Sequence, residues 1–197
     1  MKMYSRLFNY ADAPVRVHLS IILVFVYFYL KHADVSAIYY AFSYLVLILV
    51  HELGHAYYAH KCQYRILSVD IFPIHGVCKF EHDSNSDPRI IVYAGGLIAQ
   101  FILFVIWAAL LGALRLSDLG QLALYLKPIT YSFIWLNLFM AVLNMLPIPG
   151  LDGFEILTRA MTYSARKNKK VSSVDVSDMS ASEIVDRAIQ KAKRNST

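Results

Sequence analysis

Two histidines and a glutamate stand close together in His51-Glu52-Leu53-Gly54-His55. Histidines at i and i+4 project from one face of a helix, so both imidazoles can reach one metal ion. The glutamate between them can take a proton from the water such an ion activates. The run leading into the motif, Ala41 to Val50, is apolar apart from Ser43, the composition of a segment that faces lipid. Ionisable side chains inside such a segment are costly and by default mark function.

A catalytic zinc site needs a third protein ligand and keeps its fourth position for water. His60, nine residues after His51, is turned to the opposite face of the same helix. His75, Glu81, His82 and Asp83 fall in a connecting segment and would have to fold back. The stretch Asn144-Met-Leu-Pro-Ile-Pro-Gly-Leu-Asp152-Gly153 is a better source. Pro147 and Pro149 cannot continue a helical ladder, and Gly150 and Gly153 admit unusual dihedrals, so a helix is predicted to open just before Asp152. Asp152 is the expected third ligand, with Glu155 as the weaker alternative. An N-cap role for Asp152, at a short helix Phe154 to Met161, competes with this assignment.

The elements that must position these residues are apolar. Of 197 residues 57% are hydrophobic and only 17% charged, which excludes an ordinary soluble domain. Four stretches are predicted to span a membrane, about Val17 to Leu30, Ala37 to Ala59, Ile90 to Leu114 and Pro128 to Leu146. The first is followed by Lys31, His32 and Asp34 where a small-residue cleavage site would stand, so it is expected to stay in the protein. The net charge of +5 does not indicate nucleic acid, because the basic residues lie between spans and in the tail. With four spans and both ends on one side, sixteen Lys and Arg fall on that side and three, Lys31, Arg115 and Lys127, on the other. The positive-inside rule then places both termini in the cytoplasm. Spans two and four run in the same direction and carry their polar clusters toward the same end, so His51, His55 and Asp152 can meet at one depth. Cys62 and Cys78 lie on the reducing side and are expected to be free thiols.

With these residues in hand, the chain resembles the site-2 protease family of intramembrane zinc metalloproteases. The resemblance rests on His51-Glu-Leu-Gly-His55 and on Asn137-Leu-Phe-Met-Ala-Val-Leu-Asn144-Met-Leu-Pro-Ile-Pro-Gly-Leu-Asp152-Gly153, with Val15-Arg-Val-His18-Leu-Ser and Ala94-Gly95-Gly96 in support. It covers about residues 14 to 160. It implies one zinc ion per chain held by His51, His55 and Asp152, with Glu52 as general base, and a substrate that is itself a membrane helix of a regulatory protein. It implies an integral protein of a bacterial-type inner membrane. It also implies a membrane-associated β-hairpin between spans two and three, a place that Ile66 to Phe80 fits, with Pro73 to Gly76 turning the chain. The chain departs from the family where Gly95-Gly96 replaces a common glycine-proline and Gln100 replaces an asparagine. It carries no PDZ or CBS module, so regulation would come from the tail, the loops or a membrane partner.

The expected fold is an all-α polytopic membrane protein of about four transmembrane helices, with a short helix after the proline-rich break and the one hairpin. Residues 1–163 would form the protease core and residues 164–197 a polar cytoplasmic tail. In that tail Ser180-Ala-Ser-Glu183 reads as a capping box opening a short amphipathic helix. Asn144 and Asn137 are candidates for holding the backbone of an opened substrate, or for interhelical hydrogen bonds. Ala94-Gly95-Gly96 reads as a packing surface, and His18 as an interfacial histidine. Two other functions compete: a proteolytically silent protein that binds membrane helices as a chaperone or sequestering factor, and a metal transporter. The complete set His51, Glu52, His55 and Asp152 opposes the first, and the largely apolar outer halves of the spans oppose the second.

Overall fold

In a computed structural model that describes residues 3–81, 89–116, 120–177 and 189, the chain opens with two strands, β1 (Tyr4–Tyr10) and β2 (Ala13–His18). They form an antiparallel hairpin whose two turn residues, Ala11 and Asp12, both have left-handed φ, of 46° and 64°. That is the turn whose twist matches paired strands. A single 3-10 turn, Leu19–Ile21, leads into helix α1 (Ile22–His32), which ends at Ala33 in the left-handed region. Asp34 then accepts the backbone N–H of Ser36 at 2.9 Å and starts helix α2 (Ser36–Lys61). Strands β3 (Arg65–Ile71) and β4 (Gly76–Glu81) follow, then helices α3 (Ile90–Leu116), α4 (Gly120–Asn144) and α5 (Asp152–Ser177).

The hairpin expected over Ile66 to Phe80 is present, but it is half of a four-stranded sheet of order β1-β2-β3-β4. Strand β2 pairs in parallel with β3, matching Val15 to Val69 and Val17 to Ile71. The all-α expectation is corrected accordingly. The span expected from Val17 begins later, because the apolar and polar residues of Val15-Arg-Val-His18 alternate with period two and its valines are β-branched, so the stretch joins the sheet. Residues on one face of the sheet, Val15, Val69 and Ile71, are buried with Ile48, Ala56 and Ala59 of α2 and Val92 of α3 in one apolar core. On the other face Asp70 is fully buried and accepts two hydrogen bonds from Arg16, at 2.7 and 3.0 Å, and one from Ser68 at 3.0 Å. The Lys79 ammonium lies 3.3 Å from it, so the charge network ties β2, β3 and β4 together.

Two of the helices, over Ser36–Lys61 and Ile90–Leu114, are long and apolar enough to cross a membrane. At about 1.5 Å per residue the 26 residues of α2 exceed a hydrocarbon core of about 30 Å. The apolar helices Leu19–His32 and Ile129–Asn144 are shorter than that. Helix α5 runs to Ser177, well past the Met161 expected from sequence, because no proline or glycine follows Gly153 in that stretch to stop it. The chain divides into two compact units, Met1–Ile156 and Leu157–Thr197. The expected amphipathic helix beginning at Ser180 lies outside the described residues, Ile189 apart.

Helices α2 and α3 meet at glycine. A Cβ on Gly54 would fall 2.8 Å from the Ala99 side chain and closer still to the Gly95 carbonyl, and one on Gly95 would fall 2.9 Å from the Tyr58 ring. Close helix approach of this kind requires small residues in a membrane protein. Gly95→Leu should therefore separate the helices and destabilise the fold by at least the ~1–3 kcal/mol of an overpacked core. Thermal unfolding of the purified chain in detergent, with an unchanged midpoint as the contrary result, checks this.

A second expectation concerns the sheet. Burial raises the Asp70 carboxyl, but the hydrogen bonds from Arg16, Ser68 and Lys79 outweigh it and hold the group below its ordinary range. A carboxyl depressed by folding contributes stability that is present above its unfolded pKa and fades as pH falls through the folded value. Asp70→Asn should lower stability at neutral pH and flatten its decline with acid, read from unfolding midpoints across a pH series.

Candidate metal centre

Helix α2 carries His51, Glu52 and His55 to a place where all three are nearly closed off, with 6%, 5% and 8% exposure. Their spacing around the helix turns the two imidazoles toward each other, and the Nε2 atoms stand 3.0 Å apart. One atom from each of the three residues lies within 4.8 Å of the others.

The third partner arrives from the other end of the sequence. The regular ladder of α4 stops as Met145 N–H bonds to the Ala141 carbonyl at 3.0 Å, and Pro147 and Pro149 follow. Gly150 takes a φ of 94°, a conformation that suits glycine. The chain restarts as α5 at Asp152, the break that the prolines and glycines predicted. A Cβ on Gly153 would collide with the Met145 and Leu146 carbonyls, so the bend closes only around glycine. It delivers the Asp152 carboxylate to the histidines, with Oδ2 3.1 Å from His51 Nε2 and Oδ1 3.3 Å from His55 Nε2.

The far sides of the rings fix what the near sides can be. His55 Nδ1 lies 2.8 Å from the Val92 carbonyl, an acceptor only, so it must carry a hydrogen, and in the neutral ring that leaves Nε2 a lone pair. His51 Nδ1 lies 3.1 Å from Gln100 Oε1, which asks the same of that ring. Both partners belong to α3. Between them is Gly96, where a Cβ would sit 2.6 Å from His55 Nε2 and 2.7 Å from His51 Nδ1. Two imidazole lone pairs and a carboxylate thus converge, and Asp152 Oδ2 is buried without a hydrogen-bond partner among the described residues. Three acceptors facing one point repel one another unless a cation or a proton lies among them. Two imidazole nitrogens and one carboxylate are a donor set that suits zinc.

Glu52 has a different setting. Strand β4 approaches it closely: a Cβ on Gly76 would lie 2.6 Å from its Cδ. The sheet therefore presses on this side chain and aims it.

The other candidates from sequence are elsewhere. His75 packs on Phe72 at the β3–β4 turn, with ring centroids 5.5 Å apart, and Glu81 pairs with Arg65 at 3.6 Å in an exposed position. His60 meets Tyr10 edge-on at 6.5 Å, away from His51. Glu155 follows Asp152 by one turn of α5 and is half-buried, while His82 and Asp83 lie outside the described residues. Asn137 of α4 donates to the Gln100 backbone carbonyl at 2.8 Å, the interhelical alternative of its two expected roles. Asn144 is the last residue of α4. His18 caps the 3-10 turn and accepts from Ser20 N–H. Cys62 and Cys78 are free. Sequence reading marked Gly96 and Gln100 only as departures from the family pattern, without a place in the site, and did not find the Val92 carbonyl. Their spacing of four and four on α3 was the available signal, since it sets them on one helix face.

Comparison with known proteins agrees with this geometry. The model of peptidase family M50 matches residues 39–123 and 112–180. A zinc metalloprotease of Methanocaldococcus jannaschii is 27% identical over 176 residues, which are 87% of this chain and 50% of that protein. Stage IV sporulation protein FB of Bacillus subtilis is 28% identical over 116 residues, 57% of this chain and 37% of that protein. The chain thus spans half or less of the length of these curated relatives. Among solved structures, the site-2 protease from Methanocaldococcus jannaschii shares the fold, with a TM-score of 0.63 at 23% identity over 81% of this chain and 72% of that one. Matched by the family model over most of its length, the chain belongs to peptidase family M50, the site-2 protease family.

Proposed function

We propose that the chain is a zinc endopeptidase that hydrolyses peptide bonds in or near the transmembrane segments of other membrane proteins. The observation that carries this reading is the convergence of His51, His55 and Asp152 as acceptors, with Glu52 buried beside them on a helix apolar enough to lie in a membrane. His51, His55 and Asp152 would hold one zinc ion. Zinc bound there supplies a Lewis acid that activates water and polarises a carbonyl at neutral pH.

The protein's own groups do the rest. Glu52 takes a proton from the attacking water as the new C–O bond forms, and delivers it to the amine as the C–N bond breaks. Close contact with Gly76 of β4 holds the carboxylate in place beside that water. Burial of Glu52, His51 and His55 keeps bulk solvent from the reacting atoms. A substrate helix has its carbonyls engaged in its own ladder, so the segment to be cut must unwind, which proline, glycine or asparagine in the substrate would ease. Strand β4 is an edge of the sheet and lies beside Glu52, so an unwound segment can align against it by strand addition.

In the membrane we place four crossings, α1 to α4, with both termini and the sheet on the cytoplasmic side. The count of basic residues and the position of the polar clusters support that arrangement. The substrates would be single-span regulatory proteins, and the polar tail from Ser164 would be a cytoplasmic appendage through which a membrane partner could act.

Glu52→Gln should abolish cleavage of co-expressed tagged single-span proteins, a loss of at least about 10²-fold for a general base, while zinc content stays at one per chain. Cleavage that persists in this variant would remove Glu52 from the chemistry. Asp152→Ala should lose zinc itself, measured by metal analysis of the purified protein. Undiminished zinc there would move the third ligand to Glu155.

A further inference from the structure

The two histidines are held from behind by different kinds of partner. His55 Nδ1 bonds to the Val92 carbonyl, part of the α3 backbone, and that acceptor cannot change its nature. His51 Nδ1 bonds to the side-chain amide of Gln100, which presents an acceptor at Oε1 and a donor at Nε2. Gln100 is 1% exposed, and its backbone carbonyl accepts the Asn137 amide of α4 at 2.8 Å, so its place between α2 and α4 is fixed even though its amide can turn over.

We infer that Gln100 is a positioning residue for the metal centre: its Oε1 accepts the His51 Nδ1 hydrogen, holds the ring in the tautomer whose Nε2 lone pair faces His55 and Asp152, and so sets the zinc affinity. The opposite amide orientation makes the alternative concrete. With Nε2 of Gln100 donating to Nδ1, the His51 hydrogen moves to its own Nε2, where Asp152 Oδ2 lies 3.1 Å away to accept it. That arrangement satisfies the carboxylate with a proton and leaves no lone pair for a metal. The orientation that exposes the lone pair leaves Gln100 Nε2 buried without a hydrogen-bond partner among the described residues, a cost that a carboxylate at this position would not carry. A neutral amide therefore holds the metal-binding tautomer with less force than an acidic side chain would.

This inference rests on the zinc site proposed above, and two variants of the full chain in detergent separate them. Zinc affinity is measured by competition with a chelator, and the His51 tautomer by nitrogen-15 chemical shifts of the metal-free protein. Gln100→Met, close in shape but lacking the acceptor, should weaken zinc binding by about 10–100-fold and raise the Nε2–H tautomer of His51. Gln100→Glu, which keeps an acceptor and removes the donor, should bind zinc at least as tightly as the wild type and abolish that tautomer. If Gln100→Met binds zinc as the wild type does, or if folded Gln100→Glu binds it more weakly, the role is overturned. Should Gln100→Met not fold, Gln100→Glu decides alone. Failure of the wild type to bind zinc would instead overturn the site itself.

Discussion

The contact between Gly54 and Gly95 is the constraint on which the site depends. Neither residue has a side chain to hold the helices apart, so the α3 backbone comes within reach of the histidine rings. From there the Val92 carbonyl and the Gln100 amide can take the Nδ1 hydrogens, and Gly96 leaves space for the imidazoles between them. The five-residue motif on α2 thus contains its own packing instruction. Gly54 makes no bond to anything in the chemistry, yet without it the second histidine would have no fixed orientation.

Enclosure is divided between two kinds of structure. Helices α2 and α3 supply the histidines and their supports, and the break between α4 and α5 supplies the aspartate. The sheet covers Glu52 from another side, through Gly76 of β4. Glu52, covered by a strand, and the two histidines, backed by a helix, can be adjusted separately, since strand β4 is an edge and is anchored to its neighbours through β3 and the Asp70 network. Asp70 itself shows how the sheet tolerates a buried carboxylate: Arg16 binds it through both oxygens, Ser68 adds a third hydrogen bond and Lys79 stands by as a second cation.

What could be read in the sequence was what carries chemical type or breaks a period. His51, Glu52 and His55 announce themselves by charge in an apolar run, the Pro147 to Gly150 break by its residues, and the β3–β4 hairpin by β-branched strands around a turn. The first hairpin could not be read so easily, because Val15 to His18 merges into the apolar residues of α1 and the alternation lasts only a few positions. Gln100 escaped for the opposite reason. A neutral amide in an apolar helix has no partner visible in sequence, and its meaning comes only from the tertiary approach that brings His51 to it. The extent of α5 was missed because a polar helix gives no apolar stripe to follow, only the absence of breakers.

The parallel pairing of β2 with β3 bears on how the chain is assembled. All of α1 and α2 lies between these strands, so Val15 and Val69 can become neighbours only after the polypeptide has travelled out along one helix and returned along the other. The sheet is then the clasp of a helical hairpin. Because β3 carries β4 with it, the strand that aims Glu52 reaches its place only when that clasp has shut. A nascent chain with α2 already formed therefore holds His51, Glu52 and His55 on one helix, but not yet the strand that covers Glu52.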